Sequence, residues 1–214
     1  MNTLDSRSLH LHNCFAQPFP AAGEIKYVLV VGSLSPSSPP TDTSNGFKID
    51  VIPKVNAGPP TQYTVLVSVV NGTLVPTPAA LVISVGDIVL WHHDDSSTPR
   101  RFGVIGAGNN FAFSSGSLTN EAVFTHAFGL PGTYDWIDAT GKQLGGKIVV
   151  SATQLNKDAE RANYLKTLAT PAACEIKDNK VTSGGSLNIV VGQTVFWKVW
   201  NGNGVTITDK RLVS

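Results

Sequence analysis

The donor side chains available for metal chemistry are few. The five histidines are His10, His12, His92, His93 and His126, and the two cysteines are Cys14 and Cys174. His10, His12 and Cys14 alternate in one short run, and alternate residues of an extended chain project to the same side. Read that way, they form a donor set suited to copper or zinc. His92 and His93 are adjacent in an apolar run, so their side chains leave on opposite faces of a strand, and only one of them can join His126. The plainer reading has one of the pair facing a core and the other facing solvent. The two cysteines lie far apart in sequence and are either one disulfide or two separate thiols; there is no CxxC or Cys/His zinc spacing.

Other chemistries find less to work with. The chain has no GxSxG elbow, no phosphate-binding P-loop and no GxGxxG after a strand. Asp94 and Asp95 precede a turn, where carboxylates ordinarily cap, and Ser114, Ser115 and Ser117 have no assigned base. These absences point away from an enzyme. Of the four tryptophans, Trp91 and Trp197 end apolar strands and are expected in a core. Trp200 sits in Lys198-Val199-Trp200-Asn201-Gly202-Asn203-Gly204, a turn-like run that favours an exposed aromatic of the kind enriched at interfaces. Arg100 and Arg101 are candidate anchors for an acidic partner group.

The elements that must hold these residues are mostly strands. The 214 residues are 42% hydrophobic and only 14% charged, against roughly 25% charged in an average soluble domain. A net charge of +1 gives no footprint for nucleic acid, and no apolar run approaches the ~20 residues of a membrane span. The first 25 residues lack the apolar core of a Sec signal peptide, while the sparse charge favours an extracytoplasmic β-protein. Residues 1–23 show neither helical nor strand period and read as an arm. Strand patterns cover 24–31, 47–55, 63–70, 80–84, 88–92, 101–105, 122–127, 132–137 and 146–150. A Pro/Ser-rich loop interrupts them at 33–45. Residues 153–170 carry Leu155, Ala159, Ala162, Leu165 and Leu168 at helical spacing and predict one amphipathic helix. After it, the skeleton of Leu81 to Trp91 returns at Leu187 to Trp197, an internal repeat of one hairpin. The segment 171–214 is too short for a sandwich of its own. It is expected to complete a sheet with strands in 24–55 or with a neighbouring subunit.

Residues 64–150 resemble a cupredoxin domain. The resemblance rests on Val85-Gly86-Asp87-Ile88-Val89-Leu90-Trp91, then Phe113-Ser114-Ser115-Gly116-Ser117-Leu118, then Phe124 through Pro131-Gly132-Thr133-Tyr134, and finally Gly145-Gly146-Lys147-Ile148-Val149-Val150. It implies an all-β, Greek-key cupredoxin-like β-sandwich at 61–152. Around it stand the arm at 1–23, a strand pair at 24–60, the helix at 153–170 and a partial second β repeat at 171–214. Type 1 copper needs two His, one Cys and a weak axial ligand, and the positions that match the family's ligands hold Arg100, Asp138, Gly141 and Leu144. The resemblance therefore implies a sandwich without type 1 copper. No cofactor is expected, and the functional expectation is a structural or interaction subunit in an oligomer or with a protein partner. Two alternatives stand beside it: a copper carrier or electron-transfer protein using His10, His12, Cys14, His92, His93 or His126, and a carbohydrate-binding module using Trp200.

Overall fold

Alternation along the strands decides the layering. In β4 (Gln62–Val70), Val65 and Val67 are buried while Thr64, Leu66 and Ser68 face the other way, as a two-residue period requires. The computed structural model describes residues 3–35, 42–55, 58–95, 99–141, 143–153 and 155–213, so the centre of the Pro/Ser-rich loop lies outside the described residues. The fold is an all-β sandwich in which one wide sheet carries two smaller ones. The wide sheet has eight strands in the spatial order β14 (Lys180–Ser183), β13 (Ala172–Lys177), β16 (Thr194–Val199), β10 (Val123–Ala127), β1 (Asn13–Pro18), β7 (Ile88–His93), β4 and β5 (Thr73–Thr77). A five-stranded sheet runs β6 (Ala80–Ser84), β3 (Phe47–Ile52), β2 (Gly23–Val31), β8 (Phe102–Gly108) and β9 (Phe111–Ser114). A four-stranded sheet runs β15 (Ser186–Val190), β12 (Gly145–Ser151), β11 (Gly132–Asp138) and β17 (Ile207–Asp209).

The pairing repeats itself. β3 runs parallel to β6 and β4 parallel to β7 in the first half; β12 runs parallel to β15 and β13 parallel to β16 in the second. β2 lies antiparallel between β3 and β8, and β11 lies antiparallel between β12 and β17. Individual residues follow suit. Phe15 lies opposite Trp91, and Phe124 lies opposite Trp197. Asp87 accepts the Ser84 N–H at 2.9 Å, and at the matching turn Gln193 accepts the Val190 N–H at 3.2 Å. Gly23 and Gly132, which open β2 and β11, both have φ of +149°, a conformation that side-chain-bearing residues rarely adopt. The chain is thus a duplicated sandwich, its halves joined where β1 and β10 lie antiparallel with Phe15 opposite Phe124.

The halves also exchange their leading segments. Ser115 lies just after β9, which pairs with β8. Its N–H donates to the Val104 carbonyl, and its hydroxyl accepts the Val104 N–H at 3.1 Å. Ser6 does the same to Ile207 of the other half: its N–H donates to the Ile207 carbonyl, and its hydroxyl accepts the Ile207 N–H at 3.1 Å. Leu9 then pairs with Phe102, while Leu118 pairs with Val205. Each leading segment therefore starts on one half and crosses to the other.

Several sequence expectations change here. Of the segment read as an arm at 1–23, the described residues 3–23 are not loose: Leu4 and Leu9 are buried and β1 occupies the middle of the wide sheet. The run carries no clean period because β1 has buried residues on consecutive positions, Phe15, Ala16 and Gln17. The segment 171–214 does not pair with β2 or β3. Its β13–β17 combine with β10, β11 and β12, strands that the resemblance assigned to the first sandwich. The helix is α1 (Asp158–Leu168), opened by Glu160, whose carboxylate accepts the N–H groups of Asn156 and Lys157 at 3.1 Å. It buries no residue fully, and Leu165 is 65% exposed. It touches the fold through Tyr164, whose hydroxyl donates to the Val191 carbonyl at 2.8 Å, so its apolar spacing does not mark a core-facing stripe.

Candidate functional site

The donor side chains singled out by sequence divide between two regions. His12, exposed in the turn before β1, and Cys14 line one hollow on the outer face of the wide sheet, whereas the His10 ring lies away from them, 6.3 Å from that of His93. Cys14 lies on the outer face of the wide sheet between His92 and Thr125, whereas His93 and His126 are buried on its inner face. His92 and His93 do leave on opposite faces, as adjacent strand residues must. Both ring nitrogens of His93 are in use: Nε2 accepts the Arg100 N–H at 3.1 Å, which leaves Nδ1 to donate to the Asp94 carbonyl at 2.8 Å. Among the described residues no group of three or more His, Cys, Asp or Glu side chains is placed to hold a metal ion. Both cysteines are free thiols. Burial against Trp197 pushes Cys174 up to about 12, and burial also raises Cys14, partly offset by a hydrogen bond with Thr125.

The four positions at which the resemblance would place copper ligands have other roles. Arg100 reaches the Gly72 carbonyl of the β4–β5 turn. Asp138 accepts N–H groups from Thr140 at 3.1 Å and Thr206 at 2.8 Å, tying β11 to the strand beside it. Gly141 takes a positive φ of 84° in the following turn, and Leu144 is buried in the core. Arg100 thus holds a loop of the first half and Asp138 one of the second. Arg101, offered as an anchor for a partner, bonds the hydroxyl of Thr3 at 2.9 Å and so secures the leading segment.

His126 is the most perturbed of the histidines. It is 2% exposed, donates from Nδ1 to Asn13 Oδ1, and packs edge-on against Phe128 with ring centroids 4.6 Å apart. Burial holds its pKa down at about 3, with the charge of His12 adding to the effect and that of Asp209 opposing it. The unfolded chain takes up this proton below about 6.5, and the fold resists it down to about 3. Stability from this group is therefore intact above pH 6.5 and lost as pH falls through that window, by up to about 1.4 kcal/mol per pH unit. The equivalent position of the first half carries Gln17, also buried. In His126→Gln the urea midpoint is expected to fall less between pH 7 and pH 4.5 than in the parent chain. Equal slopes in the two proteins would refute this assignment.

Two surfaces remain that can receive something. The first is the outer face of the wide sheet. Rows run straight across its middle: Leu66, His92, Cys14, Thr125, Phe196 and Ala173 form one, and Thr64, Leu90, Ala16 and Val123 form the next. Charge enters only where the second row reaches Lys198 and Glu175. A hollow of about 420 Å³ lies on this face among Cys14, Leu90, Thr125 and Phe196. No described helix or sheet covers it, because both smaller sheets pack on the opposite face through Tyr27 against Trp91 and Trp136 against Trp197. The apolar outer positions were present in the sequence, where Val89-Leu90-Trp91 and Val195-Phe196-Trp197 are apolar on both faces. Such runs usually belong to strands covered on both sides.

The second surface is a cleft of about 440 Å³ beside Trp200, with Pro20, Phe111, Asn120, Glu121 and Asn201 around it. Trp200 was expected from sequence as an exposed aromatic in a turn and is instead half-buried, whereas Phe111 and Glu121 come from segments with no linear signal linking them. One side of the indole carries the Lys198 ammonium, 3.4 Å from the ring centroid, and that ammonium lies 3.8 Å from the Glu121 carboxylate. No helix among the described residues is long and apolar enough to cross a membrane. Compared with known proteins, the chain matches no family model, no curated protein and no solved structure.

Proposed function

We propose that this protein is a non-enzymatic, cupredoxin-like structural or interaction subunit without type 1 copper, and that it associates with a second copy of itself through the outer face of the wide sheet. The observation that carries this reading is the uncovered, nearly charge-free middle of that face, from β4 across to β16. The five strands from β4 to β16, at about 4.8 Å spacing, span about 24 Å, and five residues at ~3.3 Å give about 17 Å. The resulting area of roughly 400 Å² is about half the ~800 Å² per partner of a standard interface, the size of a weak, concentration-dependent association. A net charge of +1 offers little repulsion against a second copy. Two such faces can stack as aligned sheets do, with their strands about 30° apart.

Light scattering after size exclusion tests the reading on the full chain. A dimer is expected at about 100 μM, a concentration that favours assembly for any dissociation constant in the micromolar range. Leu90→Asp together with Phe196→Asp places two charges at the middle of the face and is expected to give monomers. Both side chains point away from the cores, so the far-ultraviolet spectrum should be unchanged. A parent chain that is monomeric under these conditions overturns the proposal.

A further inference from the structure

We propose that the cleft beside Trp200 binds a neutral saccharide. The duplication supplies an internal control for what the fold itself requires. The Trp200 N–H donates to the Ile176 carbonyl at 2.9 Å, and at the matching position of the first half the Asp94 N–H donates to the Val67 carbonyl, also at 2.9 Å. The same backbone site thus accepts an aspartate, and the indole at 200 is not needed to build the strand end.

The opposite wall diverges in the same way. Asn120 and Glu121 take positive φ values of 51° and 65°, and every other described residue outside glycine with a positive φ is an Asn or Asp. Their counterparts Leu11 and His12 are not among the residues with positive φ. Glu is poorly suited to this left-handed conformation, which favours glycine or a short polar side chain. The turn is held by Gln17, buried beneath it, whose amide donates to the Asn120 carbonyl at 3.1 Å. Strain retained in one half and absent from the other marks this side of the cleft as selected for more than chain reversal.

The chemistry of the lining selects the ligand. An indole and the Phe111 ring offer flat apolar surface, while Asn120, Asn201 and Glu121 offer hydrogen-bond donors and acceptors at the rim. A sugar ring has the complementary form, with an apolar face of C–H groups and an equator of hydroxyls. A cationic ligand would compete with Lys198, which already sits on the indole and beside Glu121. An anionic ligand would meet the Glu121 carboxylate. A neutral, polyhydroxylated ligand satisfies both conditions.

The test uses the full chain and four neutral hexasaccharides, cellohexaose, xylohexaose, mannohexaose and chitohexaose, followed by calorimetry and tryptophan fluorescence. Trp91, Trp136 and Trp197 are 0% exposed, so a shift in emission on binding reports the half-buried Trp200. Saturable binding of at least one sugar is expected, with a blue shift. Trp200→Asp, which installs the residue of the matching position, is expected to weaken it at least about tenfold, or ~1.4 kcal/mol, with an unchanged melting temperature. Glu121→Gln is expected to weaken it severalfold and provides a second variant should the first lose its fold. The proposal fails if no sugar saturates by about 10 mM, if Trp200→Asp binds as the parent does, or if decaproline binds in place of the sugars.

Discussion

Deleting the residues up to Arg7 is expected to open the half of the molecule most distant in sequence. Hydrogen exchange should show β17 and its neighbour β11 losing protection, while β2 and β3 keep theirs. Leu4 is 2% exposed and its carbonyl accepts the Asp209 N–H at 2.8 Å. Ser6 makes two hydrogen bonds to Ile207, and Asp5, paired with Arg7 at 2.8 Å, bridges to Thr208. Losing a buried leucine costs about 2–5 kcal/mol, and each buried backbone group left unpaired costs a further ~1–3 kcal/mol. Together these rival the ~5–15 kcal/mol that holds a typical domain. A graded form of the same test uses Ser6→Ala and Ser115→Ala. Each strips one hydroxyl from an equivalent backbone N–H, so the two should cost a similar ~1–3 kcal/mol. A deletion that leaves Ile207–Asp209 protected would contradict the exchange of segments.

Trp91→Ala and Trp197→Ala should each cost about 3–5 kcal/mol, as large-to-small changes in closed cores do. Both indoles are 0% exposed. Trp91 touches three aromatic rings, those of Phe15, Tyr27 and Phe113, with centroids 5.4–5.6 Å away. Trp197 meets Phe124 at 5.7 Å and Trp136 at 6.1 Å. Aromatic pairs add roughly 0.5–1.5 kcal/mol each beyond the area they bury, so Trp91→Ala is the more costly of the two. The shared sheet and the exchanged segments should make both variants melt in a single transition that calorimetry follows. Two separated transitions, with only one moving in each variant, would show that the halves melt independently.

Legibility in the sequence followed the strength of local patterns. Ala80–Ser84 and Ile88–His93 stand out because Val85-Gly86-Asp87 punctuates two apolar runs, and their copies at 186–190 and 194–199 repeat that punctuation. β1, β5, β9, β13, β14 and β17 are missed: β9, β14 and β17 are short, β1 carries buried residues on consecutive positions, Pro76 interrupts β5, and the alternation of β13 rests on Cys174 and Ile176 alone. The duplication was visible only as one hairpin. Elsewhere the two copies share positions without sharing residues: Tyr27 answers to Trp136, and Val65 to Cys174. The candidate surfaces were less legible still. Trp200 could be picked out as a large side chain in a turn, but Phe111 and Glu121 join it only through strand pairing. The outer face of the wide sheet required knowing that no described helix or sheet lies over Leu90 and Phe196.

The bond between Ser6 and Ile207 links residues 201 positions apart. During synthesis the leading segment leaves the ribosome early, and at about 5–20 residues per second it then waits ten seconds or more for the strand that will hold it. The first half can gather β2 to β9 in that time, whereas the second cannot close until its last strand emerges. Contacts of such long range slow folding, and the edge of β11, once made, stays unpaired until β17 emerges. This protein should therefore depend on holding chaperones more than its size alone suggests, and mutations in Leu4 to Arg7 should lower its yield from translation before they alter the finished molecule.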